Sequence, residues 1–558
     1  MQFGGHSRRH KFLRPSFHAR EVSGAGAIFA GFAVLYALLR SGDIFATDGA
    51  HRCLEIFHRQ TIFFHENNHL IYPVNVLAWA RLAAVFGLRA GGPFEFYRIT
   101  ELMNCVAAAA SLAIVFLLIQ WTISSWRIAL GAVMALGLSR AFFSQATNAN
   151  EAVVGLFWSL LAILVLLLGL HARSRWLAFV SGLLFALSMV SYESMVFLAP
   201  AGLVLIWQFW KQENRESPAS RPLLLLEGIF LFGCGVAWLG IHAWADWMTG
   251  NTRPMEMARQ LFLVRDARSY LGVGPAKALN LPAGVIRNIF PVLTQFEGFR
   301  RAFSGPRDSL LAFLLASALF FAFLIFCGMR VWNHRKELSA PMNLGLWTGA
   351  AGLLCTLVPP IIWDPQYEKL WLQPLALLAF LIAIALKIPA EINWQSTFIC
   401  RAAPALILLG VLLNFPPVAS AHRADVSEFF RQARDVSGKV GAEDLVVGDW
   451  DRVAMLYGDA WAPPDRIMDF VTQGVYYGRG ATDRLRQRVA ETQLSGGHVY
   501  FLGLLDLGET EWNAFIGPRC GIPMSDLEPY REHSHVIATY RDGSATISLR
   551  ELDPPLTQ

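Results

Sequence analysis

Apolar residues in this chain come in blocks, each closed by a short polar break. Blocks over roughly 24–39, 99–121, 126–144, 151–170, 176–192, 194–210, 223–245, 309–329, 342–362, 370–387 and 400–418 predict about eleven membrane-spanning helices. The criterion is length: a hydrocarbon core about 30 Å thick takes roughly 20 apolar residues of helix. The first block lacks a small-residue cleavage site, and the polar loop after it leads into more blocks. It therefore reads as a retained span and not a cleaved signal.

Beyond residue 420 the pattern changes. "DLVVGDW" and "HVYFLGLLDLG" have the short apolar runs of buried strands, and "ADVSEFFRQARDVS" and "TDRLRQRVAET" have the spacing of amphipathic helices. "HVIATYRDGSATISLREL" alternates on both sides of Asp542-Gly543, which predicts a β-hairpin. The expected architecture is an all-α polytopic membrane protein with a small C-terminal α/β extracytoplasmic domain. Its parts are a basic N-terminus (1–23), a transmembrane region (24–420) with large outside loops at 40–98 and 246–308, and the α/β domain (421–558). That last domain has no Gly-rich phosphate loop and no nucleophile elbow, so a structural or acceptor-guiding role fits it best. In the 246–308 loop, "PMEMARQLFLVRDARSYLG" and "AGVIRNIFPVLTQF" place apolar residues at helical spacing with arginines between, as interfacial helices do.

Composition agrees with the blocks. The 558 residues are 54% hydrophobic and 16% charged, outside the range of ordinary soluble domains. The net charge of +5 is small for this length, and the basic residues gather at loop ends. They read as topology signals, not as a nucleic-acid surface. The head "HSRRHKFLRPSFHAR" and the short loops "HARSR", "KQENRESPASR" and "RVWNHRKEL" all fall on one side when the spans alternate. By the positive-inside rule that side is cytoplasmic, which sends the C-terminal domain outside, to the periplasmic face of an inner membrane. Of seven cysteines, Cys105, Cys234, Cys327, Cys355 and Cys400 lie in or at the ends of apolar runs. Cys53 and Cys520 lie in polar segments and could pair in an oxidising compartment.

The densest reactive side chains lie in the first outside loop: Asp43, Asp48, Glu55, His58, His65, Glu66 and His69. Residues 65–69, "HENNH", spell the zinc-protease motif H-E-x-x-H. Asn67 and Asn68 are weak helix formers and no third-ligand pattern follows, so joint zinc binding by His65 and His69 is not expected. After Pro73, "VNVLAWARLAAVFGL" predicts an amphipathic helix too short to span. Elsewhere, Glu151 reads as a helix-start glutamate favoured by the macrodipole. Glu193 in "VSYESMV" interrupts two apolar runs, where an ionisable group is either functional or the mark of a turn.

This organisation resembles the type-C glycosyltransferase superfamily, particularly bacterial proteins related to the O-mannosyltransferases. The resemblance rests on "TDGAHR" soon after the first span, on "NHLIYP" before an interfacial helix, and on the late loop "DPQYEKLWLQPLALLA". It implies a polyprenyl-phosphate-linked sugar donor and inverting transfer to an unidentified acceptor. It also implies a first-loop carboxylate base, with Asp48 preferred, Asp43 its competitor, and His69 beside them. Asp48 is followed by Gly49, departing from the Asp-Glu pair of the eukaryotic mannosyltransferases. Such chemistry needs a carboxylate to take the acceptor's proton and cations to hold the leaving phosphate. Lys369 and Arg253, with Arg52 behind them, are the expected phosphate-binding cations, and Tyr367 and Glu193 complete the expected donor site. The resemblance fixes no cofactor, and a divalent metal could share the phosphate charge. Membrane lipids are the other expected partners. A transporter or flippase, a metalloprotease and a non-catalytic assembly protein are the competing readings. Against transport, the charges cluster in outside loops and not in mid-span.

Overall fold

A computed structural model of the chain describes residues 19–40, 56–57, 69–216, 222–249, 275–289, 307–362, 367–388, 426–448, 466–515, 517, 521–542 and 545–554. Among them, eight helices are long and apolar enough to cross a membrane, and nine if one bent pair is a single span. The protein is thus a multi-pass membrane protein. Its helices begin with α1 (Ala19–Leu38), α2 (Tyr72–Val85), α3 (Pro93–Ile123), α4 (Trp126–Gly137), α5 (Arg140–Ala146), α6 (Glu151–Ala172) and α7 (Arg175–Ser191). A 3₁₀ turn, Glu193–Leu198, leads into α8 (Ala199–Glu216), followed by α9 (Pro222–Thr249), α10 (Pro275–Ile289) and α11 (Arg307–His334). Then come α12 (Ala340–Thr356), α13 (Val358–Ile362), a 3₁₀ turn Glu368–Trp371, and α14 (Leu372–Lys387).

Ten of the eleven expected spans coincide with these helices; the block at 400–418 lies outside the described residues. Two coincide with a difference. The block at 126–144 is not one straight span: α4 and α5 meet at 68°. Ser139 takes an extended backbone and its hydroxyl donates to the Leu136 carbonyl, which closes α4 and starts a new helix. Helix α7, at 17 residues, is short for a full crossing and packs tightly between α6 and α9 instead. Its hydroxyls bond across the helix interfaces, Ser181 to the Ala162 carbonyl at 2.7 Å and Ser188 to the Gly155 carbonyl at 2.8 Å. Gly182 lets α7 approach α9 so closely that a Cβ there would lie 2.2 Å from the Phe230 carbonyl oxygen. Small residues at such interfaces are how helices associate where lipid removes the hydrophobic drive.

Helix α2 is the expected interfacial helix. Tyr72, Val76 and Ala83 are buried, and Trp79 donates its indole N–H to the Ile99 carbonyl of α3. Leu82, Val85, Phe86 and Leu88 are exposed, an apolar edge suited to the acyl boundary. Of the two helical stretches expected at 246–308, the second is α10, with Ile286, Asn288 and Ile289 buried; the first lies outside the described residues.

The C-terminal segment contains a five-stranded sheet of β1 (Leu445–Gly448), β2 (Ile467–Asp469), β3 (Val499–Leu502), β4 (Ser534–Asp542) and β5 (Ala545–Leu552), in the order β2-β1-β3-β5-β4. Strand β1 is parallel to β2 and β3, while β5 is antiparallel to β3 and β4. Asp542 pairs with Ala545, so the hairpin turns where the Asp-Gly signal placed it. The two expected helices are α15 (Val426–Lys439) and, after α16 (Phe470–Tyr477), α17 (Gly480–Leu494). Tyr540 of β4 donates to Asp435 of α15 at 2.8 Å. The hydrogen bond from the Lys439 ammonium one turn on, and after it the Tyr540 bond, hold the Asp435 carboxyl below its ordinary value.

Candidate active site

Four chain breaks converge at one end of the helical bundle: the turn before α2, the start of α6, the turn after α7 and the 3₁₀ turn before α14. Each carries an ionisable residue, and polar residues gather there because helix ends leave backbone groups to be satisfied. Asn150 caps α6 by accepting from the Ala152 N–H at 2.8 Å. This fixes Glu151 in the first helical turn, where it is fully buried. The Lys369 ammonium donates to Glu151 Oε1 at 3.2 Å, across 218 residues of sequence, and is itself only 8% exposed. Glu151 Oε2 is buried and has no hydrogen-bond partner among the described residues.

His69 adjoins this pair. Its Nε2 lies 3.6 Å from Glu151 Oε1, its Nδ1 donates to the Ser191 carbonyl at 3.0 Å, and its ring stacks on Tyr192 at a 5.4 Å centroid distance. The His69 backbone N–H donates to Glu193 Oε1 at 2.8 Å, and Glu193 Oε2 is 3.4 Å from Nδ1. All this holds His69 at φ +61°, in the left-handed region. A non-glycine residue there stores strain of order 1 kcal/mol and persists only where the surroundings fix it. The conformation also excludes a continuous helix through residue 69, so the histidine that ends the H-E-x-x-H string is not on a zinc-protease helix. The rest of that string lies outside the described residues.

Aromatic rings wall the lysine: its ammonium is 4.8 Å from the Tyr367 ring centre and 5.4 Å from that of Tyr192. Beside it, Arg140 at the start of α5 pairs with Glu368 at 2.6 Å, both mostly buried. Behind it, Asn104 of α3 donates to the carbonyls of Asn148 and Asn150, each at 2.7 Å, tying down the segment that leads into Glu151. The result is a desolvated patch with fixed charges at a helix-end layer, suited to holding an anionic group against aromatic surface. Among the described residues no group of three His, Cys, Asp or Glu side chains has the arrangement to hold a metal ion.

Of the residues singled out by sequence, His69, Glu193, Lys369 and Tyr367 are brought together here. Asp43, Asp48, Arg52 and Arg253 lie outside the described residues. Glu151 does start its helix as the sequence suggests, but it is also the buried partner of Lys369, and no local signal announces that. Arg140 and Tyr192 were likewise not singled out. The hint for Arg140 is an arginine inside an apolar block, at the point where α4 and α5 break.

This fold and helix-end layer define a polytopic membrane protein with a small C-terminal sheet domain. Residues 98–238, from α3 to α9, match the family model described as dolichyl-phosphate-mannose-protein mannosyltransferase. No curated protein sequence matches the chain. Among solved structures, ArnT from Cupriavidus metallidurans bound to undecaprenyl phosphate is similar with a TM-score of 0.57 at 12% identity, over 94% of this chain and 98% of that one. The same protein in the apo state is similar with a TM-score of 0.54 at 13% identity, over the same shares.

Proposed function

We propose that this chain moves a sugar from a polyprenyl-phosphate-linked donor to an acceptor at the outer face of the cell membrane, with inversion. The observation that carries the reading is the buried Lys369 ammonium, walled by Tyr192 and Tyr367 where membrane-spanning helices end. A lipid-linked phosphate sits at that height, because its tail stays in the bilayer. The fold likeness, spanning nearly all of both chains, to a protein solved with undecaprenyl phosphate supports it. In this reading Asp48 takes the acceptor hydroxyl's proton as the oxygen attacks the anomeric carbon. The bond from that carbon to the phosphate oxygen breaks, and polyprenyl phosphate leaves with its charge held by Lys369, Arg253 and Arg52. Asp43 is the competing base. Glu193 and His69 shape the site around Lys369. The N-terminus is cytoplasmic, and residues 421–558 form an extracytoplasmic domain.

The test is transfer of labelled sugar from a polyprenyl-phosphate donor by the full chain in reconstituted membranes. Asp48→Asn keeps the side chain's shape and removes its basicity. It should lower turnover by about 10²–10⁴, the usual contribution of a positioned base. Loss in Asp43→Asn with normal turnover in Asp48→Asn would move the base to Asp43. Full activity in both variants would remove the first-loop carboxylates from the mechanism.

A further inference from the structure

The residues that lead from α5 into α6 use their hydrogen-bonding capacity unevenly. Asn104 of α3 gives its amide hydrogens to two backbone carbonyls, those of Asn148 and Asn150, at 2.7 Å each. Asn148 gives its own amide N–H to the Ser144 carbonyl at 3.0 Å. These contacts fix which end of each amide is the nitrogen, because a carbonyl accepts only from the NH₂. The other ends, Asn104 Oδ1 and Asn148 Oδ1, are buried and have no hydrogen-bond partner among the described residues. The same is true of Gln145 Oε1 in the last turn of α5 and of Glu151 Oε2 in the first turn of α6. All four residues are at most 5% exposed.

Buried polar atoms in a folded protein are nearly all paired, so four orphan oxygens on one short stretch and the helix behind it call for a reason. Folding accounts for the nitrogens: Asn104 and Asn148 satisfy carbonyls left over where α5 ends. It does not account for the oxygens. All four are acceptors, so their complement is a run of donors. Three are neutral amide oxygens, and the fourth belongs to a carboxylate whose other oxygen takes the Lys369 ammonium. Hydroxyls are neutral donors, and each can turn its hydrogen to suit its acceptor. In the proposed reaction several arrive together, because the donor's sugar is bonded directly to the phosphate that Lys369 holds. Its ring then lies beside Glu151 and the residues just before it.

We propose that the donor sugar's hydroxyls donate to Asn104 Oδ1, Gln145 Oε1, Asn148 Oδ1 and Glu151 Oε2, which makes this stretch the sugar-recognition surface of the site. The inference rests on the proposed transfer of a lipid-linked sugar and adds which side chains read that sugar. The four residues bind and orient the ring, and none of them takes a proton. A site built to accept from hydroxyls rejects an analogue that lacks one, because the acceptor is then left buried and unpaired. The free protein carries the same burden. An apolar side chain in place of one of these amides relieves it, so stability and sugar recognition should move in opposite directions.

The experiment is equilibrium binding of four probes to the full chain in detergent: undecaprenyl methyl phosphate, and undecaprenyl phosphates carrying glucose, mannose or arabinose. All share one lipid and one singly charged phosphodiester, so differences in affinity report the sugar. At least one sugar probe should bind about tenfold tighter than the methyl ester, the net worth of one or two hydrogen bonds. Gln145→Met and Asn148→Leu, each close in volume to the residue replaced, should weaken that probe by about five- to tenfold and leave the methyl ester's affinity unchanged. Without ligand, Gln145→Met should keep or raise the thermal midpoint. Among monodeoxy forms of the preferred sugar, at least one should bind the wild type about tenfold more weakly and be insensitive to Asn148→Leu. Equal affinity of all four probes would overturn the proposal while the proposed function stands. So would a sugar increment that survives both substitutions, as it would if these oxygens held only ordered water. Parallel loss of the methyl ester and the sugar probe in both variants would mark a structural role and overturn it as well. Failure of every probe to bind the wild type would overturn the proposed function too.

Discussion

Lys369 and Glu151 offer a quantitative check on how this layer is held. At the observed 3.2 Å separation and an effective dielectric of about 20, their attraction is about 5 kcal/mol. Desolvation offsets much of that, so the pair adds little over an apolar isostere, whereas removing one partner alone strands a buried charge. Lys369→Met should therefore cost about 3–5 kcal/mol, because Glu151 is fully buried and its second oxygen has no described donor. Glu151→Gln should cost less, since Lys369 keeps aromatic neighbours on which a cation can rest. In the double variant no charge is stranded, so the loss should be well below the sum of the singles. The assay is a double-mutant cycle by denaturant unfolding of the purified chain in mixed micelles. A coupling energy of at least about 1.5 kcal/mol is expected for residues in such contact. Additive losses, within about 0.5 kcal/mol, would refute the view that the two charges are each other's main compensation.

Three further outcomes follow from the structure. Gly182→Leu should separate α7 from α9 and destabilise the bundle by about 1–3 kcal/mol in the same unfolding assay, since even a Cβ there would overlap the Phe230 carbonyl. Asp435 should give the α15–β4 contact an acid limb. Its carboxyl is held low, so its stabilisation is fully present above the ordinary carboxylate value and is lost as pH falls through the lowered one. The increment should be under about 1 kcal/mol because the side chain is 46% exposed; Asp435→Asn should abolish it in acid titrations of the full chain followed by exchange at β4. Reporter fusions after residue 420 should signal from outside the cell membrane, and a cytoplasmic signal would mean that the number of crossings before that point is even, one off from the expected eleven.

Legibility varied by the range of the interaction. Apolar block length reflects the thickness of the bilayer, so spans were readable from sequence alone. The hairpin was readable because Asp542-Gly543 supplies turn chemistry locally. The structure brings His69, Glu151, Glu193 and Lys369 together at helix ends. The break between α4 and α5 is only weakly signalled: Gly137 ends α4, but a lone glycine in an apolar block marks no break by itself, and the Ser139 hydroxyl closes the helix only in context. The importance of Glu151 was not readable. Locally it is a first-turn glutamate like many others; its burial and its lysine partner are set by packing across most of the chain.

The left-handed backbone at His69 has a consequence for what can vary at that position. Backbone geometry alone would welcome glycine or asparagine there, whereas the contacts of the ring suit histidine. In a saturation library, two screens should therefore disagree. Selection for folded, membrane-inserted protein should enrich small or amide side chains at residue 69, while selection for turnover should return histidine almost alone. The position would record, in one codon, the gap between what the fold prefers and what the chemistry requires.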